Sequence, residues 1–143
     1  MMIESTTEVV VRYNETDKMG IVHHSQYVIY FELARTHFIR ESGISYRKVE
    51  EKGLMMPVLG VEAHYHSPAF YDDTLIVKTK IAAYDSIRMK FNYKIYRKTD
   101  RKLLADGSSE HCWTDLSLRP VSIRRKNPEL HQLIVEAAGK AED

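Results

Sequence analysis

Between Ser25 and Gly43 the chain places apolar side chains almost all the way round a helix. Tyr27, Phe31, Ala34 and Phe38 recur at helical spacing, Tyr30, Leu33 and Ile39 widen that surface, and Val28 and Ile29 fill more of the circumference. A helix of this kind is stable only when enclosed, so the rest of the chain has to wrap it. Ser25 is expected to be its N-cap and Gly43 its stop. Glu32 and Arg35, three residues apart, are expected to pair on its polar strip.

The flanking sequence supplies the wrapping. Thr7 to Tyr13 holds Val9, Val10 and Val11, a β-branched run suited to a strand. Ser45 to Lys52 reads as a second short helix closed by Gly53. The period then changes to two. Val61, Ala63 and Tyr65 alternate with Glu62, His64 and His66, and Pro68 marks an edge strand or a bulge. Leu75, Val77, Thr79 and Ile81 form one face of the next strand. Ile87, Met89, Phe91, Tyr93 and Ile95 oppose Arg88, Lys90, Asn92 and Lys94 in the one after it. Leu103 to Leu116 reads as a last strand with a bulge at Gly107. Asn127 to Ala138, with Pro128 at its start, reads as an amphipathic tail helix. One strand, one long helix and four hairpin-linked strands make an α+β fold, a long central helix wrapped by a curved antiparallel sheet of about five strands. A single domain over residues 1–143 is expected, with no repeat or linker.

Composition removes several classes of function. A net charge of +1 gives no global argument for nucleic acid, and no aromatic motif interleaves the basic residues. No run approaches the length of a membrane span or a signal peptide, and the lone Cys112 suits a reducing compartment. A cytoplasmic protein without a membrane span is expected. Gly-x-Ser-x-Gly and phosphate-loop signatures are absent.

The chemistry is concentrated in the loop that enters the long helix. Tyr13-Asn14-Glu15-Thr16-Asp17-Lys18-Met19-Gly20-Ile21-Val22-His23-His24-Ser25 brings two carboxylates and two histidines to a helix start. Helix N-termini hold unpaired N–H groups and the positive end of the dipole. An acid just upstream could act on a carbonyl whose oxygen those groups polarise.

Thr16 to Tyr27, followed by Phe31-Glu32 and Ala34-Arg35, resembles the hotdog-fold acyl-CoA thioesterases of the 4-hydroxybenzoyl-CoA thioesterase type, nearest the YbgC-like branch. Ser67-Pro68-Ala69 and Tyr71-Asp72-Asp73 are similar to a second landmark of that family. Gln26 departs from the Asn that many relatives carry. The resemblance implies hydrolysis of an acyl-CoA thioester to a carboxylate and free coenzyme A, without metal, cofactor or prosthetic group. It implies Asp17 as catalytic carboxylate, either nucleophile or general base. Tyr13 and His24 match positions lining the site, and backbone N–H groups around His24 and Ser25 match the donors to the carbonyl. It also implies a homodimer built edge to edge, with sites at the interface, or a homotetramer of such dimers. A carrier-protein thioester in place of coenzyme A, and a non-catalytic acyl-thioester-binding module, are the alternatives. A hotdog dehydratase is disfavoured because the helix interior holds only His37.

The remaining candidates are weaker. Between Lys78 and Lys102 nine Lys or Arg face two Asp. Arg88 and Lys90 are the candidates to meet coenzyme A phosphates, against a plain solvated strand face. Tyr27, with Tyr30 and Phe31, is a candidate acyl-pocket wall or ordinary core. Glu15 is expected to face solvent and Glu32 to form an ion pair. His23 and His24 are expected to diverge. His64 and His66 share a strand face without a third metal ligand, and His111 and Cys112 fall on opposite faces.

Overall fold

In the computed structural model of the protein, residues 4–139 are described. Strand β1 (Ser5–Val10) leads through a 3-10 turn (Tyr13–Glu15) and a loop into α1 (Gln26–Glu41). Next come α2 (Tyr46–Glu51), β2 (Val58–Tyr65), β3 (Thr74–Tyr84), β4 (Arg88–Arg97) and β5 (Leu103–Cys112). The short α3 (Ile123–Lys126) and α4 (Pro128–Ala138) close the chain. All five strands form one antiparallel sheet in the order β1-β3-β4-β5-β2, so the two strands that come first in sequence become its two edges.

The inner face of that sheet receives α1. Leu75, Val77 and Ile81 of β3 and Met89, Phe91, Tyr93 and Ile95 of β4 are buried, while Lys80, Arg88 and Lys94 face water. This is the alternation of an antiparallel sheet with one solvated face. Helix α1 contributes Tyr27, Tyr30, Phe31, Ala34, Phe38 and Ile39 to the same core. Phe31 stacks on Tyr93 with ring centroids 4.4 Å apart. Gly107 makes room for this: a Cβ there would lie 2.8 Å from the Phe31 ring and 2.2 Å from the Glu62 carbonyl oxygen. Gly107 is therefore not a bulge, as the sequence suggests. It pairs regularly with Ala63 and Tyr93, and the irregularities fall at Val58/Gly60, Ile81/Ala83 and Ile95/Tyr96.

Several local expectations change. Strand β1 ends at Val10 because Arg12 to Glu15 turn back on themselves, with Glu15 N–H bonded to the Arg12 carbonyl. Strand β5 ends at Cys112, beyond which Thr114 bridges to Met55 and Pro120. Ser25 has helical φ and ψ and makes no capping bond. Glu32 and Arg35 do not pair: Arg35 turns inward and donates to the Tyr93 hydroxyl at 3.2 Å. Its aliphatic stem carries the guanidinium beneath the helix, leaving Glu32 in water. The enclosure of α1 is also incomplete, since Val28, Ile29 and Leu33 stay 41–49% exposed. At the other end, the tail helix forms with Pro128 at its first position, as the sequence predicts; Asn127 caps it through Leu130 N–H and Gly139 stops it at φ +70°.

Candidate active site

The loop between β1 and α1 is a small hairpin. Thr16 bridges Val22, Asp17 N–H donates to the Ile21 carbonyl at 2.8 Å, and Gly20, at φ +82°, takes the left-handed turn position that favours glycine. Half-buried Asp17 accepts the Met19 N–H on Oδ1 at 2.8 Å. Among the described residues its other oxygen has no hydrogen-bond partner. One carboxylate oxygen is thus fixed by the turn and the other is available.

The hairpin opens beside the first turn of α1. His23 closes the turn before the helix: its carbonyl takes Gln26 N–H at 2.9 Å and its Nδ1 takes Ser25 N–H at 3.2 Å. No hydrogen bond from the backbone N–H of His24 or Tyr27 is found among the described residues. These are the orphan donors that a helix start leaves over. The Tyr65 hydroxyl, from the end of β2, donates to the His24 carbonyl at 2.9 Å and so ties this turn to the sheet. The rings of His23 and His24 stack, with centroids 4.2 Å apart, rather than diverging.

A cavity of about 420 Å³ joins these parts, with Asp17, Met19, His24, Tyr27, Tyr65 and Pro68 in its wall. Asp17, His24 and Tyr27 thus line one cavity. Tyr13 is not among them: it is 78% exposed and meets Tyr71 edge-on at 5.8 Å. Ser25 contributes no wall either, its hydroxyl lying 2.8 Å from His23 Nδ1. Arg88 and Lys90 sit elsewhere, in a separate cavity of about 320 Å³ with Leu59, Met89 and His111. Lys90 also borders a groove of about 730 Å³ on the outer sheet face, beside Lys78, Lys80 and Lys94.

Two residues near the site escape sequence reading. Glu15 is buried, not solvent-facing. Its carboxylate accepts the Arg12 N–H at 2.9 Å, the Tyr30 hydroxyl at 2.9 Å and Arg12 Nε at 3.3 Å. Burial and the adjacent Glu15 charge push the Tyr30 phenol far above its ordinary range, so it stays a donor. Tyr65 is the other. Its sharing of a strand face with Val61 and Ala63 was legible, but its reach to the helix start was not.

Deeper in the core, Arg35 donates to Tyr93, whose hydroxyl lies 2.6 Å from Ser109 Oγ; that oxygen in turn lies 2.7 Å from His111 Nε2. Burial first, and the Arg35 charge second, lower His111 to about 4. His66 Nε2 lies 2.8 Å from Asp106 Oδ2, and no group of three potential metal ligands forms among the described residues. Cys112 is buried and directs its thiol to the Trp113 carbonyl, away from His111. No helix among the described residues is long and apolar enough to cross a membrane.

An antiparallel sheet wrapped round one long helix is the hotdog fold of thioesterases. Residues 11–136 match the model of the thioesterase-like superfamily, and the chain belongs to that family. It is 35% identical to YneP of Bacillus subtilis over 127 residues, covering 89% of this chain and 92% of that one. With the acyl-CoA thioester hydrolase YbgC of Escherichia coli O6:H1 it shares 28% identity, over 77% of this chain and 82% of the relative. Among solved structures it is similar to the DHNA-CoA thioesterase of Staphylococcus aureus, with TM-score 0.89 and 32% identity over 99% of this chain and 98% of that one.

Proposed function

We propose that this thioester hydrolase cleaves acyl-CoA esters with Asp17 as its acting carboxylate. The observation that carries the reading is the juxtaposition in the 420 Å³ cavity: a half-buried acid with one unbonded oxygen, facing the helix turn that holds the unbonded His24 and Tyr27 amides. A thioester carbonyl set against those amides gains a stabilised oxyanion as the carbon becomes tetrahedral. Asp17 then acts in one of two ways. Attack by its carboxylate expels coenzyme A as thiolate and leaves an acyl-aspartyl anhydride, which water hydrolyses. Alternatively it takes a proton from water, whose hydroxide displaces the same thiolate. A single turnover in ¹⁸O-water separates the two, since only the anhydride route can leave label in Asp17.

The names of relatives such as YbgC and the second cavity support coenzyme A as the thiol carrier. Strand β2 is an unpaired edge bearing exposed Val58, Leu59, Val61 and Tyr65, beside the exposed Val28, Ile29 and Leu33 of α1. Pairing with a second copy about a two-fold axis sets the Leu59 end of one β2 beside the Tyr65 end of the other. The cavity of Arg88 and Lys90 then lies next to the partner's Asp17 cavity. There the two cations meet the phosphates of a coenzyme A whose thioester reaches across the interface. A homodimer is the smallest assembly that completes this site.

The test is free-thiol release from short, medium, long and aromatic acyl-CoA esters. Asp17→Asn should lower kcat by about 10²–10⁴-fold with the fold intact. Wild-type turnover by that variant would remove Asp17 from the mechanism. Arg88→Ala should raise KM with kcat nearly unchanged, the mark of lost uniform binding.

A further inference from the structure

We propose that Glu15 and Tyr30 are positioning residues for this reaction, together setting the distance between the Asp17 carboxylate and the amides of the α1 N-terminus. The inference rests on the role given to Asp17 above.

The geometry is specific. The hydroxyl of Tyr30 donating to Glu15 at 2.9 Å is the only side-chain hydrogen bond between residues 12–24 and α1 among the described residues. Glu15 also holds both ends of the Asp17 hairpin through its backbone, its N–H bonded to the Arg12 carbonyl and its own carbonyl taking His23 N–H at 2.9 Å. A carboxylate only 6% exposed is unusual and persists only when donors satisfy it. Here the donors come from the strand exit and the helix, the two elements that must keep a fixed separation. Tyr30 is fully buried, and its ring meets that of Tyr27, a wall of the cavity, edge-on at 5.8 Å. Because the phenol stays protonated, it remains a donor to Glu15.

Neither residue lines the cavity, so neither touches substrate. Their effect passes through Asp17, and a displacement of about 1 Å in a reacting group can cost about a hundredfold in rate.

Tyr30→Phe keeps the ring and removes the donor; Glu15→Gln keeps the shape and removes the charge. Each is made alone and on the Asp17→Asn background, with kcat, KM and thermal melting measured, the slow variants in single turnover with enzyme in excess. On the wild-type background kcat should fall about ten- to a hundredfold while KM stays within about twofold. On the Asp17→Asn background the same substitutions should leave the residual rate unchanged, because no placed acid remains to be misplaced. An equal fall on both backgrounds marks general loosening and overturns the proposal. Wild-type kcat in Tyr30→Phe, or a loss carried by KM, overturns it as well. Should Glu15→Gln fail to fold, Tyr30→Phe alone decides. An active Asp17→Asn would instead defeat the functional reading, whereas an inactive Asp17→Asn beside a fully active Tyr30→Phe would defeat only this inference.

Discussion

The two edges of the sheet are built for opposite purposes. Strand β1 is six residues long and carries polar groups on its outer side: Thr6 accepts Lys78 Nζ at 2.8 Å and Glu8 pairs with Lys98 at 3.1 Å. Strand β2 is eight residues long and leaves Val58, Leu59, Val61 and Tyr65 between 43% and 59% exposed. A short charged edge discourages further pairing, and a long apolar one invites it. Both cavities assigned to the reaction border β2, at Leu59 and at Tyr65, and neither touches β1. On the proposed function, the chemistry therefore sits beside the open edge of the sheet.

The largest predicted effect breaks that asymmetry by giving β2 the character of β1. Val61→Lys places like charges across a two-fold β2 pairing, where each chain meets its copy. Dimer dissociation should become easier by about 100-fold or more, and turnover per chain should fall with the dimer population. Val10→Lys, at an exposed apolar position on β1, should change neither. Sedimentation velocity and thiol release check both. A Val61→Lys protein that remains dimeric and active would place the interface elsewhere.

The two edges also show where sequence reading stops. The period of α1, the switch to alternation after Gly53 and the inner face Met89, Phe91, Tyr93 and Ile95 were legible, because local spacing determines which face is apolar. Strand order was not, since it depends on contacts far apart in the chain. That β1 and β2 end at opposite edges follows only from the pairings with β3 and β5. The bare face at Val28, Ile29 and Leu33 shows the same limit. Sequence says that such a helix must be covered, but not by which chain. In the site, Asp17, His24 and Tyr27 were legible through the motif. Glu15 was not, because a polar loop residue gives no sign of burial until its donors on Arg12 and Tyr30 are known. Ser25 misled because its hydroxyl lies 2.8 Å from His23 Nδ1 instead of taking an N–H of α1.

A second, smaller effect sharpens the contrast through pH. His111 lies on β5 opposite Val58 of β2, and neither β1 nor β3 contains a histidine. Its folded value of about 4 is below the ordinary 6.5, so between those limits the unfolded chain binds the proton first. The stability it contributes is complete above about pH 6.5 and is lost as pH falls towards 4, a change of about 3 kcal/mol in total. Urea unfolding across this window should show the slope, and His111→Gln should flatten it. Amide exchange should show β2 and β5 opening before β1 and β3 as the pH drops. Uniform opening of both edges would contradict the assignment.

The smallest effect concerns the charges that finish β1. Lys98 and Glu8 form an ion pair, but their side chains are 48% and 52% exposed. Such a pair gains little in water and is screened by salt. Lys98→Ala should therefore lower unfolding stability by no more than about 0.5 kcal/mol, with the difference shrinking at high salt. What holds β1 is its ladder with β3, which runs from Ser5↔Thr79 to Val10↔Thr74 and does not involve Lys98. On this account the charge at the β1 edge serves to repel other strands rather than to stabilise its own. A loss above about 1.5 kcal/mol in Lys98→Ala would reverse that assignment and make the pair a structural tie. New self-association in the same variant, with stability unchanged, would support it directly, because a β1 edge deprived of its cation would begin to behave as β2 does.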